Sequence, residues 1–469
     1  MMLSKPSLRQ TERLSSLSLL LLTLFYLGLT VDEFPNDGVG PTMCVLPLLF
    51  WTAQSWFPAF RSDPELLTPK NVMLFIFLNK LVLIPFEIII WGNLAPKFEP
   101  LKSPMQTEVG VVGLAFFAFV MGWAYRARQK PGSPDPAQPG NGRGRLAWGY
   151  LGIGVWAVLF QYGSLTGYFS RAILKESAET FNLEAGGSLL GLLANLGARF
   201  LPFAVMLFWL NDKRDEPPSC PRNLVFTGLC LLASLHSNRA NILYPVLTFA
   251  GVAFGAWRVR HKLLVLLLAV PAIVLVFFFG LVRSLREFAW SEVPGLIRLF
   301  IENISYVPMA HQVYFGTPYQ ITPLLRVNAD FYGPTLLSSF LFPVPVLGKS
   351  FRDTSGVMVY NGEIYGTVIH PDQVIPVSGE FYYNGGFPAV FLSHLAIGYA
   401  YCFLDQRFKQ NLGANQASAF AWFYLALLFN ATIFLSLSVL VQFLIYSAAP
   451  ALLLLLINRF YSPLAAARS

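Results

Sequence analysis

The chain has 469 residues, of which 55% are hydrophobic, 15% aromatic and only 12% charged, with a mean hydropathy of +0.54. Its apolar residues come in blocks of roughly 20, the length that crosses a ~30 Å hydrocarbon core, which excludes a soluble globule and predicts a polytopic membrane protein. The net charge of +8 does not point to nucleic acid, because the basic residues are explained by where they fall between the apolar blocks.

Residues 1–14 are polar and basic, and the first apolar block carries no small-residue cleavage site, so it reads as a retained span and not as a cleaved signal peptide. Twelve candidate spans follow the hydropathy: 15–31, 43–60, 71–92, 108–125, 147–163, 187–210, 223–236, 239–257, 263–282, 386–404, 417–437 and 438–457. Two of them, 43–60 and 223–236, are short, which leaves tilted or re-entrant forms open. Placing the N-terminus inside puts most of the 33 Lys and Arg residues in inner segments and brings both termini to the cytoplasmic side. The first outer loop, VDEFPNDGVGP, then carries acids and no base.

The pattern divides the chain into a four-span region (1–125), a linker (126–146), a five-span region (147–282), a large outer loop (283–385) and a three-span region (386–469). The linker, QKPGSPDPAQPGNGRGR, lacks apolar periodicity and is expected to be a flexible cytoplasmic tether. The outer loop is aromatic-rich and keeps apolar character, so a folded, partly helical cap is expected. Ile297, Phe300, Ile301 and Ile304 fall at helical spacing before Pro308, which predicts an amphipathic interfacial helix. Asn361-Gly362, between β-prone residues, predicts a tight hairpin.

Several charges ask for a reason. Arg239 stands in the turn HSNR between two apolar runs; Arg171, Arg283, Arg286, Arg298, Arg326, Lys349 and Arg352 also fall on the outer side. Guanidinium groups offer planar paired donors that match phosphate oxygens, so an outward cavity lined by them suits a lipid-linked phosphate or pyrophosphate. Pairing with outer acids or lipid headgroups is the plainer alternative for any one of them. Within the spans stand Lys80, Glu87 and Arg199, where a charge is costly and must face protein or water. Lys80 and Glu87 are seven apart and so share a helix face, which fits an ion pair across helices or a cavity lining. The four cysteines and five histidines are dispersed, so neither a disulfide framework nor a metal site is expected.

Three segments carry a resemblance. SNRANILYP (237–245), FPVPVLGKSF (342–351) and SGEFYYNGGFPAVFLSHLAIGYAY (378–401) are similar, in that order around one large outer loop, to segments of the O-antigen and oligosaccharide repeat-unit polymerases, relatives of the O-antigen ligases. The resemblance covers roughly 225–405. It implies an all-α membrane fold of the glycosyltransferase C type in a bacterial cytoplasmic membrane, with the active site facing outward. It also implies an undecaprenyl-pyrophosphate-linked oligosaccharide as donor, the non-reducing end of a second lipid-linked unit as acceptor, a chain-length regulator as an expected partner, and no cofactor.

On that reading Arg239, Arg283, Arg286, Lys349 and Arg352 are the candidates to bind the leaving pyrophosphate, whose developing charge needs cations in a partly dry site. A direct attack needs a general base. Glu380 is the first choice, with His311 and Glu363 as alternatives and an ion pair as its structural alternative. Arg326, Glu363, Tyr382 and Tyr383 are candidates for glycan contact; Tyr360, Tyr365 and Phe381 also stand among the aromatics, which pack as often as they bind. A ligase or another lipid-linked sugar transferase competes, as does a flippase or transporter, which typically shows the paired halves absent here. Asp32-Glu33 resembles the acidic pair of metal-dependent protein mannosyltransferase-like enzymes, but in those the first outer loop is long.

Overall fold

A computed structural model describes residues 42–63, 65, 67–91, 106–135, 140–164, 167–168, 189–212, 220–235, 239–254, 295, 298, 316–326, 334–344, 348–365 and 375–466. Every regular element among them is helical, as the composition predicts. The expected spans at 15–31 and 263–282, and the amphipathic helix before Pro308, lie outside the described residues.

Helix α1 (Val45–Trp56) and a 3-10 turn at Pro58–Phe60 stand where the first described span was expected. Twelve residues rise only about 18 Å, so α1 is too short to cross alone. α2 (Pro69–Leu78) starts cleanly: Thr68 accepts from the Asn71 amide at 3.1 Å, and Pro69 takes the first helical position, where no N–H is needed. A π-helical turn, Asn79–Leu83, joins it to α3 (Ile84–Trp91). The seven-residue spacing of Lys80 and Glu87 predicted one shared face, and the i→i+5 bonds of a π turn interrupt the regular helix between them. Lys80 instead donates to the Ile433 carbonyl.

Further on come α4 (Gln106–Ala127), α5 (Gly140–Tyr162), α6 (Leu189–Ala198), α7 (Phe200–Asp212), α8 (Cys220–Ser234) and α9 (Arg239–Phe254). Arg199 occupies the break between α6 and α7, where it faces Tyr162, Tyr168 and Tyr424. The loop region supplies α10 (Thr317–Arg326), α11 (Pro334–Leu341), α12 (Gly348–Phe351) and α13 (Gly356–Tyr365). The last group is α14 (Val377–Leu412), α15 (Gln416–Phe429), α16 (Ala431–Phe434), α17 (Leu437–Tyr446) and α18 (Ala449–Ala466).

Among the described residues, five helices are long and apolar enough to cross a membrane: Pro69–Ile88, Gln106–Ala127, Leu193–Asn211, Val377–Leu412 and Gln416–Phe434. A sixth crossing forms if Leu437–Tyr446 and Ala449–Arg459, bent by 54°, make one broken span.

Three expectations change. The hairpin at Asn361-Gly362 is helix α13: the Asn361 amide donates to the Val357 carbonyl one turn back at 2.7 Å, so the asparagine is satisfied inside a helix and no turn is needed. The span expected from 386 begins at Val377, and its 36 residues rise about 54 Å, far more than a ~30 Å core requires. Gly385 and Gly386, the latter with φ +63°, break it into a short first piece and a longer second piece. The linker is also less free than its composition suggests. Asp135 pairs with Arg407 and accepts from the Trp422 indole at 2.6 Å, and its own amide donates to Asn411 Oδ1 at 2.8 Å.

Among the described residues, the two largest clusters of buried apolar side chains centre on α1–α4 with α14, and on α5, α7, α9, α15, α17 and α18; Phe381, Leu404 and Phe429 pack on both. Lipid tails are as apolar as leucine, so helices in a bilayer associate through close packing and not through dehydration. The contact of α4 with α14 shows the consequence. A methyl group on Gly122 would overlap the Leu395 carbonyl, and one on Gly398 would overlap that of Phe119. Next to this seam Phe60, Phe77, Phe116, Phe119, Trp123 and Tyr401 make edge-on and tilted ring contacts with centroids 5.0 to 6.5 Å apart.

Candidate functional site

The first turns of α14 carry a carboxylate into the protein. Pro376 precedes the helix in an extended conformation, and Glu380, in the first turn, is fully buried. Oε1 accepts from the Ser339 hydroxyl on α11. Ser339 Oγ in turn accepts from the Gly356 amide, at the start of α13, at 3.0 Å. A methyl group at 356 would strike the Glu380 carboxylate, so with any larger residue there either the carboxylate or the backbone would have to move. One turn beyond Glu380, Asn384 donates to Thr335 Oγ1 at 2.6 Å and to the Glu380 carbonyl at 2.7 Å, and it accepts from the Thr335 amide at 3.3 Å. Ser338 and Thr354 share a bond of 2.8 Å beside them. The result is a nest of hydroxyl and amide groups, drawn from the short helices α11 and α13, the turn between α12 and α13, and α14 itself, around one acid.

The second oxygen of Glu380, Oε2, is buried and makes no hydrogen bond of good geometry, although the Leu437 amide lies near the carboxyl group. No ion pair holds Glu380 among the described residues, so its alternative as an ion-paired structural acid is not what the structure displays. A carboxylate buried without a cation is costly, and hydroxyl and amide donors offset only part of that cost. Such a group is held in place at a price in stability, which suits chemistry better than scaffolding.

The expected cations are only partly brought to it. Lys349, on α12, is exposed, and Arg352 is half-buried in the turn before α13; both belong to the segment whose end, Gly356, touches the acid's nest. Ser355 Oγ donates to the Arg352 carbonyl at 2.7 Å and fixes that turn. Arg239 is the first residue of α9, Arg326 the last of α10, and Glu363 lies in α13. Arg283, Arg286 and His311 lie outside the described residues.

Two aromatic candidates take packing positions. Tyr383 is buried with Leu324, Tyr360 and Ile375, so it is not an open platform for a sugar; Tyr360 spends its hydroxyl on the Gln320 carbonyl at 2.8 Å. Tyr382 is half-buried, edge-on to Phe387 at 5.1 Å. Glu380 itself was expected in a loop beside a flexible Gly379. In the structure both are helical, and Gly379 is small because Leu324 and Ile321 of α10 pack against it.

Ser339, Thr335 and Gly356 were not singled out from the sequence. The signal for the first two was present in PTLLSS, a run of small hydroxyl residues on a short helix, but only the fold shows that they meet residue 380. No group of three or more His, Cys, Asp or Glu residues close enough to hold a metal occurs among the described residues. Comparison with protein-family models, curated proteins and solved structures finds no match to this chain.

Proposed function

We propose that the chain is a membrane glycosyltransferase that lengthens lipid-linked oligosaccharides, with Glu380 as general base at the outer face. The observation that carries this reading is the buried, cation-free Glu380 carboxylate, with one oxygen lacking a good donor, beneath a segment that bears Lys349 and Arg352. The segments that resemble the repeat-unit polymerases include this site, which supports a polyprenyl-pyrophosphate-linked glycan as donor.

The chemistry assigns each group a task. The acceptor sugar hydroxyl takes the place that the Ser339 hydroxyl now holds on Glu380. The carboxylate removes its proton as the oxygen bonds to the donor's anomeric carbon. The bond from that carbon to the pyrophosphate breaks, and the pyrophosphate leaves with the electron pair. Lys349 and Arg352, from the cap, stabilise the negative charge that develops there, with Arg239, Arg283 and Arg286 as further candidates.

Purified protein supplied only with lipid-linked repeat units tests this. A ladder of longer lipid-linked glycans is expected, and Glu380→Gln should abolish it while leaving the lipid substrate bound. Transfer confined to a second lipid core would instead indicate a ligase.

The broken helices favour one second reading, a transporter of such glycans. Interrupted spans often build substrate sites at mid-membrane, and here α16 and α17 are separated by an extended Leu435 while α17 and α18 bend by 54°. Movement of an unaltered glycolipid across vesicles, with no covalent product, would support it against the enzyme.

A further inference from the structure

Apart from the Glu380 nest, a small cavity of about 20 Å³ lies between α2 with its π turn, α4, α14 and α16. That is room for about one water molecule. The wall is apolar, with Phe77, Phe116 and Phe119 prominent, except for Lys80, Ser378, His394 and Thr432. All four are buried, at 6%, 3%, 7% and 2% exposure respectively.

Their remaining hydrogen-bonding capacity is what singles out the cavity. Thr432 is satisfied, its hydroxyl donating to the Phe429 carbonyl at 2.8 Å. Ser378 Oγ has no partner. His394 Nδ1 lies 2.9 Å from the Val390 carbonyl and 3.1 Å from Ser393 Oγ; the Ser393 hydroxyl donates to that same carbonyl at 3.1 Å, and a carbonyl only accepts, so the proton is assigned to Nδ1 and Nε2 is left as an acceptor. Lys80 spends one N–H on the Ile433 carbonyl, in the last turn of α16 just before the extended Leu435, and two N–H groups remain. No carboxylate lines the wall.

We propose that this cavity is a built water site, in which one water accepts from the Lys80 ammonium, donates to His394 Nε2 and bonds to Ser378 Oγ. The three side chains then hold a single positive charge at the break between α16 and α17. A helix that stops short leaves carbonyls without amide partners, and the Lys80 ammonium supplies the donor that the broken span lacks. The water gives that charge a second seat. When Nζ–H breaks and Nε2–H forms through the water, the charge passes to His394, one positive charge is conserved, and the bond to Ile433 weakens. The cavity is thus a proton-holding site in the spanning part of the protein, independent of the glycosyl transfer proposed above.

Nitrogen NMR on protein labelled at its five histidines tests the proposal in detergent micelles, with His394 assigned by the signal lost in His394→Gln. The expected spectrum has a neutral His394 ring protonated at Nδ1, a hydrogen-bonded Nε2, and magnetisation exchange between that nitrogen's partner proton and water. Ser378→Ala removes one oxygen and should shift the Nε2 signal without unfolding the protein. Lys80→Met should shift it further. A proton resident on Nε2, an Nε2 signal unmoved by Ser378→Ala, or a bonded Nε2 with no exchange to water would each overturn the assignment. Because Ser378→Ala reads the site without touching either basic group, the result stands even where Lys80→Met fails to fold.

Discussion

The two ends of α14 treat charge in opposite ways. At its last turns, Lys409 binds both Asp405 and Asp63 at 2.7 Å, Lys70 binds Asp63 at 2.7 Å, and the Lys70 amide donates to Asp405 at 3.2 Å. Arg407 and Trp422 hold Asp135 alongside. Each acid there has more than one partner, so the network ties the loop before α2, the linker and α14 together with redundancy. At the first turns, Glu380 is buried more deeply and has no cation, only the Ser339 hydroxyl on one oxygen and the Leu437 amide near the carboxyl group. Paired charges at one end fasten helices, while the unpaired acid at the other retains the capacity to accept a proton.

The largest expected effect follows from that contrast. Glu380→Gln keeps the shape of the side chain and removes its basicity, and a lost general base costs on the order of 10²–10⁴-fold in rate. Its chain-lengthening activity should fall by that order while its thermal unfolding midpoint holds or rises, since a buried charge has been removed. Asp405→Asn should do the reverse, lowering the midpoint while the turnover of folded protein is unchanged. An active Glu380→Gln protein would erase the distinction between the two ends.

Next in size is Gly356→Ala. The added methyl group would meet the Glu380 carboxylate and lie 3.2 Å from Ser339 Oγ, so the carboxylate or the start of α13 must shift. Overpacking of this kind costs about 2 kcal/mol, and the Gly356 amide would leave Ser339. Thermal unfolding of the variant checks the cost. Restoration of the midpoint by Glu380→Ala in the same chain would show that the clash is with the acid, whereas an unchanged deficit would place the strain elsewhere.

Much of this was legible in the sequence, for physical reasons that differ by element. The spanning helices at Pro69–Ile88, Gln106–Ala127 and Gln416–Phe434 follow from apolar length alone, and the start of α2 follows from Thr68-Pro69. Glu380 was legible as a candidate because of the stretch around it, whereas its nest was not. Ser339 lies 41 residues away, and no local pattern shows which hydroxyl a buried acid will meet. Gly356 and Gly379 carry no local signal of their role, yet a methyl group at either would press on packed neighbours. Asn361-Gly362 obeyed turn statistics until tertiary packing, with Tyr360 buried beneath α10, made a helix the better use of the segment. The linker misled in the same sense, because composition cannot reveal that Asp135 will find Arg407.

The smallest effect lies at the ionic end, and its sign can be worked out. Burial alone pushes the Asp63 carboxyl upward, but Lys409 and Lys70 outweigh it and hold the group below its usual range. An acid whose folded-state value is depressed contributes its full stabilisation above the unfolded value, about 3.9, and loses it as the pH falls through the lower folded value. The unfolding midpoint should therefore decline on acidification below about pH 4, and Asp63→Asn should flatten that limb while costing about 1 kcal/mol near neutrality. Lys409→Met should do less, because the Lys70 bridge to Asp63 persists and the Lys409 side chain is already 36% exposed. Salt should weaken the Lys409 share first, since exposed pairs are screened and the more enclosed Lys70–Asp63 pair is sheltered. A limb of equal depth in the wild type and in Asp63→Asn would move the acid sensitivity to another carboxylate and leave this network as a purely neutral-pH clamp.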